Sequence, residues 1–92
     1  MKLLASQIAD ITGGSLEGPD VAVDGAAIDS RVLRPEALFV PVVAERDGHQ
    51  FIDAALAAGA AAYLTARRPR DGTAVAVSDT GAALGSLGAW AR

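Results

Sequence analysis

Ile8 and Ile11 recur about one helical turn apart behind Ser6 and Gln7, and Gly13-Gly14 follows Thr12. The spacing predicts a short helix over Gln7–Thr12, capped by Ser6 and stopped by glycine. "GGSLEG" then reads as a helix stop followed by a hairpin. "AVDGAAIDS" reads as an extended segment reaching Ser30, and "ALFVPVV", residues 37–43, as an apolar strand buried on both faces. Pro41 removes one ladder donor and predicts a local irregularity there. From Gln50 to Ala58 the pairs Phe51/Ala55 and Ile52/Leu56 stack on one helical face, with Gln50 and Asp53 outward and Gly59 as a left-handed stop. "AAAYLT" and "TAVAVS" are two further strands separated by "ARRPRDG". Ser78 or Asp79 caps a last helix carrying Leu84, Leu87 and Trp90 or Ala91 at three-to-four-residue spacing. This alternation predicts an α/β fold, a small mixed sheet flanked by helices and at least partly parallel.

The 92 residues amount to one modest domain. Half are apolar, mostly small aliphatics, with four aromatics, so tightly packed small elements must form the core. A net charge of −3 with no basic stripe argues against nucleic acid. "ARRPR", residues 66–70, is the one basic cluster and reads as a solvated loop tip. With no cysteine and a single histidine, disulfides are excluded and no protein-only zinc site is expected. "MKLLASQIAD" is too short in apolar residues for a signal peptide, and no run approaches the ~20 residues of a membrane span. The chain therefore reads as cytoplasmic. The apolar face still present at Trp90, beside the terminus, suggests a chain cut from something longer.

Lys2 is the sole lysine, so a nucleotide-hydrolysing phosphate loop cannot be built, and no Gly-x-Ser-x-Gly elbow supports a serine nucleophile at Ser30. Catalytic residues are expected to be absent. Two short stretches can hold a ligand. Asp29-Ser30-Arg31 follows an apolar segment, where a strand end opens toward a crevice. Ser30 donates and accepts, and Arg31 offers a planar fork suited to phosphate. The plainer alternative is that Asp29 and Ser30 shape a turn while Arg31 pairs with an acid. Gly48-His49 sits between the apolar strand and the next helix. Glycine permits a tight backbone there, and imidazole either contacts a ligand or caps and packs.

In order and spacing, "DSR", "LRPEALFVPV" and "ERDGHQFIDAALAAGAAAYL" resemble the N-terminal domain of the Mur ligases, particularly the MurF type. "SDTGAALGSLGAWAR" is similar to that domain's closing helix. The resemblance implies a domain that holds the uridine diphosphate of a UDP-N-acetylmuramoyl peptide. It also implies a cytoplasmic parent enzyme of peptidoglycan biosynthesis that uses ATP and magnesium. In the parent, a central domain phosphorylates the peptide carboxylate and D-alanyl-D-alanine attacks the acyl phosphate. The central ATP-binding and C-terminal domains are absent from residues 1–92, which alone are expected to be non-catalytic. By position, Ser30 and Arg31 would lie by the diphosphate, and Gly48 and His49 by the uracil or its ribose.

The sequence departs from the family pattern in three places. Pro35-Glu36 replaces Pro-Gly, predicting a type I turn where glycine would allow type II. Ala44 replaces a glycine, and a phenylalanine before Asp47 is missing, which shortens the loop ahead of His49. A MurE-type ligase domain and a stand-alone interaction or regulatory module of the same fold are the alternatives.

Overall fold

The computed structural model describes residues 2–41, 51–69 and 72–90. Strand β1 (Lys2–Leu4) runs straight into helix α1 (Ala5–Thr12), followed by strands β2 (Ser15–Glu17), β3 (Ala22–Asp24) and β4 (Ala26–Ala27). A 3-10 turn (Ser30–Val32) leads to β5 (Leu38–Phe39). Helix α2 (Ile52–Ala57), β6 (Ala62–Thr65), β7 (Ala74–Ala76) and helix α3 (Thr80–Trp90) complete the order.

The main sheet runs β2-β7-β6-β5-β4, with β4 to β7 mutually parallel and β2 antiparallel at the edge. Strand alternation divides its side chains between two cores. Leu38, Val40, Ala62, Leu64 and Val75 face Ile8 of α1 and Ala83 and Leu87 of α3. Phe39, Tyr63 and Ala74 face Ile52 and Ala55 of α2. Helices thus cover both faces, as expected for a parallel sheet with apolar residues on either side. A separate antiparallel ribbon, β1 with β3, supplies Leu3 and Val23 to the first core.

Several local expectations are corrected. Ser6 lies inside α1; the helix begins at Ala5 because its first donors find tertiary acceptors. The Ala5 N–H donates to the Val21 carbonyl and the Ser6 N–H to Asp20 Oδ1, while the Leu4 N–H donates to Gln7 Oε1. Gly13, at φ 72°, ends the helix as expected. "GGSLEG" makes no local hairpin, since β2 pairs with distant β7, Leu16 opposite Val75. The extended segment up to Ser30 divides at Gly25 (φ 80°), sending β3 to the ribbon and β4 to the main sheet. Strand β5 stops at Phe39, and the Val40 N–H makes the last bond, to the Ala27 carbonyl. Pro41, though buried, has no N–H to extend the ladder, and Val42 and Val43 lie outside the described residues. Helix α2 starts later than predicted, at Ile52.

The Pro35-Glu36 turn is also corrected. Glu36 adopts φ 69°, and the Ala37 N–H donates to the Arg34 carbonyl at 3.2 Å, so the turn is type II despite lacking glycine. Its backbone is tied on both sides: the Glu36 N–H donates to the Gly59 carbonyl, and its own carbonyl accepts from the Asp24 N–H. Those two bonds outweigh the local preference.

Candidate functional site

Because β4 to β7 are parallel, their carboxyl ends share one edge of the sheet. In open α/β sheets this edge is where ligands bind, since the loops leaving it diverge and leave a crevice. The Asp29-Ser30-Arg31 turn leaves β4, residues 66–69 follow β6, and Val77 to Asp79 lead from β7 into α3.

The carboxylate of Asp29 organises the first of these loops. Its Oδ1 accepts from the Arg31 N–H at 2.9 Å, capping the 3-10 turn. The same group accepts the Arg31 fork, Nε to Oδ1 at 3.0 Å and Nη2 to Oδ2 at 2.9 Å. Hydrogen bonding to Arg31 holds the Asp29 carboxyl below its usual range, and the same bond raises the Arg31 guanidinium. Arg31 thus pairs with an acid, as the plainer alternative had it. Two Nη1 protons and one on Nη2 remain for another acceptor, and the side chain is 87% exposed. The half-buried Ser30 makes no side-chain hydrogen bond to a described residue. Gly48 and His49 lie outside the described residues.

Beside this turn is a cavity of about 400 Å³, bounded by Gly25 to Asp29 on β4 and its flanks, by Arg34 and by Leu84 of α3. Of the residues singled out in the sequence, the cavity takes in Asp29 but not Ser30 or Arg31. Arg34 lines this cavity, and sequence reasoning did not single it out. No motif marks it; the Pro35 turn carries it back beside β4, and only the fold reveals that. Among the described residues no three His, Asp or Glu side chains converge as a metal cage. No helix among them is long and apolar enough to cross a membrane.

No protein-family model matches the chain. It is 44% identical, over 89 residues and 95% of its length, to the UDP-N-acetylmuramoyl-tripeptide--D-alanyl-D-alanine ligase of Escherichia coli (strain K12). A shorter match, 50% identical over 48 residues and 51% of the chain, is to the UDP-N-acetylmuramoyl-L-alanyl-D-glutamate--2,6-diaminopimelate ligase of Bradyrhizobium diazoefficiens, of which it covers 10%. In three dimensions it is similar to the UDP-N-acetylmuramoylalanyl-D-glutamyl-2,6-diaminopimelate--D-alanyl-D-alanyl ligase of Acinetobacter baumannii. That likeness has a TM-score of 0.87 at 25% identity over 98% of the chain. The chain spans about a fifth of the Escherichia coli and Acinetobacter baumannii ligases, 20% of the first and 21% of the second. Sequence and fold together support an N-terminal Mur ligase domain of the MurF type.

Proposed function

We propose that residues 1–92 are the part of a cytoplasmic, ATP-dependent UDP-N-acetylmuramoyl-tripeptide--D-alanyl-D-alanine ligase that holds the uridine diphosphate of its substrate. The observation that carries the reading is the Asp29-Ser30-Arg31 turn at the carboxyl end of β4, with Arg31 oriented by Asp29 and its remaining donors exposed. A guanidinium held in this way meets phosphate without first losing the freedom of a long side chain. Ser30 adds a hydroxyl beside it, and Gly48 and His49 are assigned to the uracil or ribose. ATP and magnesium chemistry is assigned to central and C-terminal domains of the parent enzyme, outside these residues. The MurF type is preferred to the MurE type because its match extends over 95% of the chain, against 51%.

A ligand of ~20 heavy atoms at about −0.3 kcal/mol per atom reaches roughly −6 kcal/mol, or tens of micromolar, as an upper limit. Titration of labelled protein with UMP and separately with AMP tests the reading through backbone amide shifts. Saturable shifts at residues 29–31 and 48–49 with UMP, smaller with AMP and reduced in His49→Ala, are expected. Equal responses to both nucleotides would leave only phosphate attraction, and silence at millimolar UMP would point to a module that does not bind nucleotide.

A further inference from the structure

The basic residues of this acidic chain are unevenly distributed. Six of its eight, Arg31, Arg34, Arg46, Arg67, Arg68 and Arg70, fall in the three connections that follow β4, β5 and β6. The same three connections, helix α2 included, also hold six acidic residues, Asp29, Glu36, Glu45, Asp47, Asp53 and Asp71. The rest of the chain carries two basic residues against five acidic ones. The connection after β6 alone has a clear basic excess, three arginines against Asp71. The parallel arrangement puts the start of that connection on the same sheet edge as the Asp29-Ser30-Arg31 turn.

The register sets the heights. Ala27 of β4 lies opposite Phe39 of β5, and Phe39 lies opposite Tyr63 of β6, so Ala27 and Tyr63 are level. Arg31 is four residues beyond Ala27, and Arg67 and Arg68 are four and five beyond Tyr63. One strand separates the two loops, which leaves their bases about 10 Å apart. The β6 loop is anchored at its base. Thr65, 1% exposed, accepts the Arg67 N–H on its hydroxyl at 3.0 Å and donates to the Arg67 carbonyl at 3.3 Å. That reciprocal turn fixes the backbone just ahead of Arg68. The Arg68 side chain is exposed and makes no hydrogen bond or ion pair with a described residue.

We propose that the loop after β6 is a second anion-holding arm of this edge, with Arg68 reaching the phosphoryl groups of a nucleoside diphosphate that Arg31 holds from the β4 side. The connection after β6, with three arginines against Asp71, adds positive charge to this edge where a protein of net negative charge would otherwise repel a diphosphate. The inference deepens the nucleotide reading above and rests on it for the identity of the base, though not for the anion.

Inorganic pyrophosphate and UDP, each titrated into the 92-residue protein and its Arg68→Gln variant, separate the two. Pyrophosphate is expected to move amides in both 29–31 and 66–68, and Arg68→Gln to weaken pyrophosphate and UDP by roughly three- to tenfold. Arg68→Gln should leave uridine, which has no phosphate, unaffected. That pattern supports the second arm even if ADP binds as well as UDP, a result that would count only against the uridine reading. Amides 66–68 silent toward both probes, or equal affinities for parent and variant, would overturn the second arm even if UDP remained preferred over ADP.

Discussion

Arg31 and Asp29 face each other through two parallel hydrogen bonds, Nε to Oδ1 at 3.0 Å and Nη2 to Oδ2 at 2.9 Å. The carboxylate takes one edge of the guanidinium and leaves the other free, so it orients Arg31 and does not mask it. An exposed pair of this kind contributes little to folding, being screened by water and salt. Arg31→Lys keeps the charge and loses the fork. The expected result is a melting temperature close to the parent's together with weaker pyrophosphate binding in a titration. Equal binding by the lysine variant would show that a point charge is enough there.

Glu36 is strained where it stands. An L residue in the left-handed region costs roughly 1–2 kcal/mol, and φ 69° is held by the bonds to Gly59 and Asp24. Glycine at this position relieves the strain but adds freedom to the unfolded chain, an offset of about 0.4–1 kcal/mol. Glu36→Gly is therefore expected to be neutral or stabilising by up to about 1 kcal/mol, whereas Glu36→Val, β-branched, is expected to destabilise by at least that much. Urea denaturation of the three proteins checks the order. A glycine variant clearly less stable than the parent would mean that the Glu36 side chain has a structural role of its own.

This turn also shows where sequence reading stops. Elements with a strong period were legible: α2 from Phe51, Ile52, Ala55 and Leu56, and the β6 and β7 strands from their apolar runs. Asp79 as the cap of α3 was legible too, and its Oδ1 accepts the Ala82 N–H at 3.0 Å. What escaped depended on partners distant in the chain. Ser6 looked like a cap because Asp20, fourteen residues away, cannot be seen to reach the helix from local spacing. β2 looked like half of a hairpin because nothing local announces pairing with β7 across the sheet. The Pro35-Glu36 turn followed its tertiary bonds rather than residue preference. At the candidate site, Asp29-Ser30-Arg31 was legible as a polar turn after a strand, whereas Arg34 comes to line the cavity beside β4 only through the fold.

Gly14 and Gly85 should respond oppositely to the same change. A Cβ on Gly14 would lie 2.6 Å from the Ala76 carbonyl oxygen and within 2.9 Å of the Val75 and Val77 methyls, so the connection from α1 to β2 would have to move away from β7. Gly14→Ala is expected to cost about 2–3 kcal/mol, in the range of overpacked cores. A Cβ on Gly85 meets nothing within 4 Å inside α3, so Gly85→Ala should stabilise by about 0.5–1 kcal/mol through helix propensity. Thermal unfolding of both variants tests this. A Gly14→Ala protein as stable as the parent would show that the connection from α1 to β2 packs loosely on β7.

Asp20 couples the start of α1 to pH. Its carboxylate accepts the Ser6 hydroxyl at 2.7 Å and the Ser6 N–H at 2.9 Å, beside the positive end of the helix dipole. The hydroxyl bond first, and the amide bond after it, hold the carboxyl below its ordinary 3.8. The unfolded chain therefore takes up this proton at higher pH than the folded one. The contribution is fully present above the unfolded value and is lost as pH falls through the lower, folded one. Asp29 is depressed in the same direction, so the parent's acid sensitivity alone does not isolate Asp20. Asp20→Asn leaves Asp29 untouched and supplies the control. Urea midpoints of parent and variant, measured from about pH 6 downward, should differ most at the top of that range. The gap should close as acid protonates the parent's Asp20 and turns both side chains neutral. A gap that stays constant to the lowest pH at which both proteins fold would mean that the asparagine disturbs packing. The Ser6–Asp20 bond would then carry no charge-dependent stability.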